Sequence, residues 1–201
     1  MFLLAGCTDV DVSFSTEPTI EYGFGVEFST GEGTNIQYTP GEWLGSAFIN
    51  EHFGFRMDMS PDEWVVLSDD DLIRFGMDDV DRTRAGFRAI EMSILDVADT
   101  GMLLWMVSPL GYPLHTESVA LDYLQLVLNV LEQSGEYSNM TVHDAPIQIA
   151  GHYWYYFTAD IGGARRSVFG RREGDVFGTK RITHIDEGVL WHILDMFSAL
   201  N

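Results

Sequence analysis

The clearest fold signal in this chain lies in residues 46–64, SAFINEHFGFRMDMSPDEW. Residues 48–49 predict a short strand, and residues 52–54 predict the turn that follows it. Apolar and polar residues alternate over residues 55–59, which is typical of a half-buried strand, and Pro61 ends that strand because it has no backbone N–H to donate. We therefore expect a folded domain that begins at residue 46.

Strands and helices are predicted to alternate through the rest of that domain. A helix capped by Ser68 and Asp71 precedes a strand hairpin at residues 90–107, and a longer helix ends before Gly135. Further strands are expected at residues 141–144, 147–149, 153–159, 165–172 and 176–184, followed by a helix that Asp186 caps and that buries Val189, Leu190, Ile193, Leu194 and Phe197. This order predicts an α+β fold over residues 46–201, an antiparallel sheet flanked by helices in an α/β/α sandwich.

Several short motifs in this region resemble those of the Mog1/PsbP-like family, and within it of lipoproteins from Gram-positive bacteria. The matching positions are Phe48-Ile49-Asn50, Gly54-Phe55, Pro61-Asp62-Glu63-Trp64 and Ile149-Ala150-Gly151-His152-Tyr153, with a terminal helix after Ile182-Thr183. The resemblance covers roughly residues 45–200 and implies an α/β/α fold. Family members bind GTPases or support photosystem assembly. Because the motifs mark packing positions, the resemblance implies no catalytic residue.

The first seven residues resemble the end of a bacterial lipoprotein signal. Leu4-Ala5-Gly6-Cys7 is similar to a lipobox, in which the peptide is cut before the cysteine and the thiol is diacylglycerylated. Only five residues separate Met1 from Cys7 and none is basic, so we expect a signal truncated by the choice of start site or in the gene. The alternative is a chance match at a cysteine. Lipid chains, palmitate among them, on Cys7 would hold the protein at the extracytoplasmic face of the cell membrane, at about 0.8 kcal/mol per buried CH₂.

Residues 8–45 contain no Lys or Arg and are rich in Ser, Thr, Gly and Glu. This composition predicts an acidic, flexible tether between the anchor and the domain. Apolar residues nevertheless alternate over residues 20–28, so that part of the tether has a second interpretation as an added strand or a docking segment.

The overall charge excludes several classes of function. Eleven Lys and Arg stand against 31 Asp and Glu, which gives a net charge of -20. Such a surface repels nucleic acids and anionic lipid headgroups, so we expect no nucleic-acid binding and no membrane adsorption without a covalent anchor. The single cysteine, Cys7, excludes an internal disulfide framework and a Cys-based zinc cluster.

Motifs of known chemistry are missing from the sequence. There is no Gly-x-Ser-x-Gly elbow, His-Glu-x-x-His pair, phosphate loop or dinucleotide fingerprint, so we expect no catalysis, no cofactor and no metal. Asp69, Asp70 and Asp71 are better explained by a helix N-terminus than by a metal site. His152 and His184 fall in predicted strands, where they either meet in a shared site or, as is more common, bond within the fold.

Positive charge is concentrated in one predicted hairpin. Six of the eleven positively charged side chains are Arg165, Arg166, Arg171, Arg172, Lys180 and Arg181, and the neighbouring strand carries Tyr153, Trp154 and Tyr155. These charges either pair with nearby acids in solvent or form a docking face for an acidic or anionic partner, since Tyr, Trp and Arg dominate interface hot spots.

The sequence as a whole therefore predicts a monomeric, non-enzymatic surface lipoprotein. Its domain is expected to bind an unknown protein partner or to support assembly of an envelope complex. One alternative is a small-ligand-binding domain with an aromatic pocket between sheet and helix. A further alternative is a hydrolase, for which the sequence names no nucleophile–base pair.

Overall fold

A seven-stranded antiparallel sheet forms the centre of the domain in the computed structural model, which describes residues 38–74, 83–84, 87–88, 90–98, 100–109, 119–174 and 176–200. All of these residues belong to one unit, Ile36–Asn201. In spatial order the strands are β4 (Trp64–Val66), β7 (Ile90–Asp96), β8 (Gly101–Pro109), β12 (Val176–His184), β11 (Ala164–Glu173), β10 (His152–Ile161) and β9 (Ser138–Ile149).

A second sheet of four strands joins sequence-distant parts of the chain. Its order is β1 (Glu42–Leu44), β2 (Ala47–Asn50), β3 (Phe55–Asp58) and β13 (Phe197–Ala199), all antiparallel. Two very short strands, β5 (Thr83–Arg84) and β6 (Phe87–Arg88), pair with each other. The predicted strand at residues 55–59 is thus confirmed as β3, at the centre of the smaller sheet.

Three described helices begin or end where their sequence signals placed them: α1 (Asp69–Arg74), α2 (Val119–Ser134) and α3 (Glu187–Asp195). Ser68 and Asp71 form the predicted capping box, since Ser68 Oγ accepts from the Asp71 N–H at 3.2 Å and Asp71 Oδ2 accepts from the Ser68 N–H at 3.0 Å. Asp186 caps α3 by accepting from the Val189 N–H at 3.1 Å. Gly135 follows α2 with a φ of 70°, the left-handed geometry expected after a helix.

The two faces of the large sheet are covered by different layers. One face, here the sandwich face, packs against the four-stranded sheet and α3 through a core that includes Phe48, Phe55, Trp105, Trp154, Phe169 and Ile193. The opposite face, here the helix face, is covered by α2 through Leu124 and Leu128 and by α1 through Leu72. Successive side chains of each strand therefore enter different cores.

The predicted antiparallel sheet is confirmed, but the α/β/α sandwich is not the observed arrangement. The domain is mostly sheet, and a second sheet covers much of the face on which a helix layer was expected. One cause of this difference is the segment that follows α3. Phe197 was assigned to the final helix because it lies four residues after Ile193, yet α3 ends at Asp195 and Phe197 begins β13, where it pairs with Met57.

Two predicted boundaries also move. The strands expected at residues 141–144 and 147–149 form one edge strand, β9, where Pro146 is tolerated and a register shift against β10 absorbs the irregularity. The domain does not start at residue 46, because β1 and Tyr38 are already part of the fold. The rest of the predicted tether, the alternation at residues 20–28 and the lipobox at Cys7 lie outside the described residues.

Candidate functional site

Strand alternation divides the predicted docking residues between the two faces of the large sheet. Along β10, β11 and β12, four of the nine point to the sandwich face: Trp154, Arg165, Arg171 and Lys180. The other five point to the helix face: Tyr153, Tyr155, Arg166, Arg172 and Arg181. The six basic residues therefore do not form one stripe, because neighbouring residues of a strand project in opposite directions.

Lys180 lies in the centre of the core between the two sheets. Its side chain is fully buried, and Nζ lies 3.2 Å from the ring centroid of Trp154. Three further rings surround Nζ at 4.3 to 4.9 Å: Phe55, Phe197 and Trp105. Within the described structure Nζ has no hydrogen-bond partner, and burial lowers the Lys180 pKa well below its usual range, with Arg171 adding to the effect.

The four rings around Lys180 Nζ form an aromatic cage, which changes two of the sequence predictions. Lys180 and Trp154 are both 0% exposed and so cannot contact a partner, which removes them from the predicted docking surface. Aromatic cages of this kind are used elsewhere to hold ligand cations, but here the protein's own side chain occupies the centre of the rings. The aromatic cluster lies between two sheets, whereas the predicted pocket lay between sheet and helix.

Arg171 joins the two sheets rather than facing solvent freely. Its Nη1 donates to the Phe53 carbonyl at 2.8 Å, its Nη2 pairs with Glu173, and its guanidinium lies 5.9 Å from the Trp154 ring centroid. On the same side, His52 Nε2 lies 3.2 Å from the Glu173 carbonyl. Burial lowers the Arg171 pKa, and Glu173 opposes that change. These contacts hold the turn before β3 against the end of β11.

The other end of the sandwich face carries a row of polar side chains that crosses four strands. We call it the polar row: His143 on β9, Thr158 on β10, Arg165 and Ser167 on β11, and His184 on β12. Ser167 Oγ lies 3.1 Å from His184 Nε2, and His184 Nδ1 lies 2.8 Å from the Asp186 carbonyl. Since a carbonyl can only accept, Nδ1 carries the proton and Nε2 accepts from the Ser167 hydroxyl.

The Ser167–His184 contact is the nucleophile–base pair that the sequence did not reveal, because the two residues are brought together only by strand pairing. Ser167 is 0% exposed and His184 is 2% exposed, so a substrate does not reach either group in this conformation. The contact satisfies two buried polar groups and positions the start of α3. The structure thus favours a packing role for this pair over hydrolysis.

Arg165 lies between the two histidines of the polar row. Its Nη2 donates to Thr158 Oγ1 at 3.3 Å, and the same hydroxyl lies 3.3 Å from His143 Nε2. Arg165 Nε is buried without a hydrogen-bond partner in the described structure, and its nearest carboxylate oxygen, Asp160 Oδ1, is 3.9 Å away. Burial lowers the pKa of His143 and of His184, and the nearby Arg165 charge lowers both further.

His152 and His184 do not meet in a shared site, and His184 instead bonds within the fold, which is the more common arrangement that the sequence analysis favoured. His184 is the register partner of Arg165 and Gly101, whereas His152 pairs with Ile149 at the opposite end of the sheet. Burial and the Arg171 charge lower the His152 pKa, and a hydrogen bond with the Gly54 backbone partly offsets this shift. Among the described residues, no three His, Cys, Asp or Glu side chains converge as a metal site.

The five predicted residues on the helix face have different environments. Tyr153 is 67% exposed, whereas Tyr155 packs against the α2 core. Arg166 donates from Nε to Thr183 Oγ1 at 3.1 Å and from Nη1 to Tyr137, and burial lowers its pKa. Arg172 donates to the Gly174 carbonyl at 2.7 Å, and Arg181 is half-buried near Arg166. Tyr153 is therefore the most exposed aromatic residue of the predicted set.

The sequence analysis missed a half-buried carboxylate in β7. Glu91 accepts from the Tyr38 hydroxyl at 2.6 Å, the Gly41 N–H at 3.2 Å, Asn50 Nδ2 at 3.3 Å and Trp105 Nε1 at 3.1 Å. Burial raises the Glu91 pKa, and the four donors oppose that change. The sequence signal is a single Glu in an apolar strand, between two buried residues. This network connects the residues before β1 to the large sheet.

Comparison with known proteins gives structural similarity at low sequence identity. No protein-family profile and no curated protein matches the chain. The solution structure of cyanobacterial PsbP (CyanoP) from Synechocystis sp. PCC 6803 is similar at 9% identity and a TM-score of 0.45, covering 84% of this chain and 98% of that one. A crystal structure from Bacteroides thetaiotaomicron VPI-5482 is similar at 14% identity and a TM-score of 0.36, covering 78% and 49%.

Proposed function

We propose that this chain is a non-enzymatic, lipid-anchored lipoprotein of the bacterial envelope whose Mog1/PsbP-like domain binds a protein partner. The lipobox-like sequence that ends at Cys7 supports the anchor. A membrane location would require such an anchor, because a net charge of -20 disfavours unaided contact with an anionic bilayer. None of the described helices is long and apolar enough to cross a membrane.

The observation that carries the binding role is an exposed tyrosine beside an arginine on the helix face. Tyr155 and Gly170 are the last register pair of β10 and β11, and Tyr153 and Arg172 each lie two residues beyond that pair on the same face, at the end of the strands away from their connecting turn. Tyr153 is 67% exposed, although large aromatic side chains of this kind are usually covered. Tyr and Arg are the residues that most often dominate protein interfaces, with the carboxylates of a partner as the natural ligands of Arg.

The experiment is photo-crosslinking from position 153 in intact cells of the native host, followed by mass spectrometry. In a separate pull-down without the crosslinker, the combined Tyr153→Ala and Arg172→Glu variant should lose the partner that co-purifies with the wild type. Two matched controls are available elsewhere: Trp191, an aromatic residue that is 53% exposed on α3, and Arg74, whose side chain is 80% exposed on α1. Trp191→Ala and Arg74→Glu should retain the partner. Equal retention by all three variants would exclude this surface.

The anchor is tested separately. Metabolic labelling with a palmitate analogue should mark the native full-length product, and Cys7→Ser should abolish the label. Loss of the label should release the protein from the membrane fraction while binding through Tyr153 persists in solution. A wild-type product without label would remove the proposed location and leave the binding proposal to be judged by crosslinking.

A further inference from the structure

We propose that the free edge of β4 binds an extended peptide segment of a partner protein, in which basic residues flank β-branched residues. The segment would pair with β4 as an additional strand of the large sheet. β4 forms one edge of that sheet, whereas Tyr153 lies on β10, next to the other edge. The proposal therefore depends neither on the Tyr153 surface nor on the lipid anchor.

The Val66 backbone points away from the sheet. The Leu67 N–H donates to the Ser93 carbonyl of β7 at 3.0 Å, so Leu67 is a bonded position of the antiparallel pair. Bonded and non-bonded positions alternate along such a pair, which places the N–H and C=O of Val66 on the side away from β7. Within the described structure neither of these two groups has a hydrogen-bond partner. They are available to a further strand.

Apolar side chains flank this edge on both faces of the sheet. Val65 is 50% exposed and Val66 is 42% exposed. Val66 pairs with Ile94, which belongs to the core of the sandwich face, and Val65 projects to the opposite face. An added strand would cover both valines, because its successive side chains also alternate between the two faces. This is the usual mode of strand addition, in which main-chain hydrogen bonds supply affinity and alternate side chains supply specificity.

The other edge of the large sheet is protected against such pairing. β9 contains Pro146, which has no N–H, and its register against β10 shifts twice. Asn139, with a φ of 50°, lies at one of these irregularities. β4 has neither a proline nor a register shift. It is only three residues long, so it suits a short peptide segment rather than another sheet.

The charge around β4 favours one occupant. Residues 57–73 contain six Asp and Glu and no Lys or Arg, and Asp62 before β4 and Asp70 after it are exposed. A second copy of this chain would bring its own acids against these, so pairing between two copies is disfavoured. A segment with Lys or Arg on either side of its apolar residues would instead place positive charge beside the acids.

The test is an NMR titration of the full chain with the synthetic peptide acetyl-KKVTVTKK-amide, and with acetyl-EEVTVTEE-amide as its charge-reversed control. The lysine peptide should give saturable shifts of the Val65 and Val66 amide signals and should slow hydrogen exchange of the Val66 amide. The glutamate peptide should do neither. The absence of saturable shifts with the lysine peptide, or equal binding of both peptides, overturns the proposal.

N-methylation of the lysine peptide tests the backbone pairing. The amides of a strand face a given neighbour at every second residue, so methylation of one alternate set should abolish binding and methylation of the other set should retain it. Equal binding by the two methylated peptides would mean that charge alone attracts the peptide, and it overturns strand addition.

Variants of the chain complete the assignment. Val66→Pro removes the outward N–H without removing a bond to β7, and it should abolish binding of the lysine peptide. Asp62→Asn with Asp70→Asn should weaken binding about threefold to tenfold, whereas the same charge change at two other exposed acids should leave it unchanged. Glu51→Gln with Glu132→Gln provides that control. Equal weakening by the two pairs contradicts the role of the acids around β4.

Two further outcomes are decisive. If Val66→Pro does not fold, the methylated peptides and the variants of the acids still decide the proposal. Dimerisation of the wild-type chain that Val66→Pro prevents would identify a second copy as the occupant of the β4 edge, and it overturns the proposal of a basic partner segment.

Discussion

The Lys180 Nζ lies 3.2 Å from the ring centroid of Trp154, in a core where no described group accepts a hydrogen bond from it. Replacing this amine with a methyl thioether of similar length should stabilise the domain, because it removes a buried, unpaired polar group. We expect Lys180→Met to raise the free energy of unfolding by about 1–3 kcal/mol at neutral pH, measured by urea denaturation. A lower stability would mean that the ring contacts outweigh desolvation.

The same residue should make stability depend on pH. Because burial lowers the Lys180 pKa in the folded state, the unfolded chain binds a proton over the range between that pKa and the usual value near 10.4. Stability attributable to Lys180 therefore rises as pH increases through this range. The difference in unfolding free energy between Lys180→Met and wild type should shrink toward pH 10. A difference that stays constant from pH 6 to 10 would contradict a lowered pKa.

The Tyr38 hydroxyl should contribute measurably to stability, since it donates to Glu91 in the half-buried network before β1. Tyr38→Phe should lower the free energy of unfolding by about 1.5–3 kcal/mol, the range for a hydrogen bond to a charged group. Chemical denaturation of both forms provides the measurement. An exposed tyrosine, Tyr153, supplies the control, because Tyr153→Phe should leave stability unchanged.

The position of Tyr38 also predicts where the domain can be shortened. A chain that starts at residue 38 keeps β1 and all four hydrogen-bond donors to Glu91, so it is the reference for this comparison. One that starts at residue 46 loses β1 and two of the four hydrogen-bond donors to Glu91, those of Tyr38 and Gly41, so it should be less stable. Equal melting temperatures for the two truncations would show that the fold does begin at residue 46.

Ala150 is held in a left-handed conformation, with a φ of 51°, in the turn between β9 and β10. Gly151 follows it with a φ of 76°, so both central residues have positive φ, as in the tight turns that prefer glycine. Ala150→Gly should therefore stabilise the domain by up to about 1 kcal/mol, seen as a higher melting temperature. Gly151→Ala should do the reverse. A destabilised Ala150→Gly would show that packing of the Ala150 methyl group dominates.

Local signals predicted the parts of the fold that local chemistry controls. The capping box at Ser68 and the cap at Asp186 fix the starts of two helices, and the strand patterns predicted β7 to β12 of the large sheet but not its edge strand β4. Local signals could not predict that a second sheet covers the face on which a helix layer was expected. Spacing alone cannot separate a further helical turn at Phe197 from a strand that pairs with residues more than a hundred positions away.

The candidate sites, too, could be predicted from the sequence only in part. The cluster of basic residues was visible in the sequence, but their division between two faces depends on strand register, and the burial of Lys180 depends on the second sheet. The polar row and the Glu91 network each join residues from several strands, so no local pattern marks them. The alternation of β12 did hold one usable signal. Lys180 lies between Gly178 and Ile182 on the same face of the strand, which indicates that its side chain points into the core.

The pairing of β13 with β3 has a consequence for the order of folding. Until residues 197–199 are available, the edge of β3 lacks its partner and Phe55 lacks the ring of Phe197 that packs on it at 5.4 Å. A chain still emerging from the ribosome therefore keeps an open sheet edge and an uncovered aromatic core until residues 197–199 arrive. The smaller sheet is therefore completed only after residues 197–199 have been synthesised.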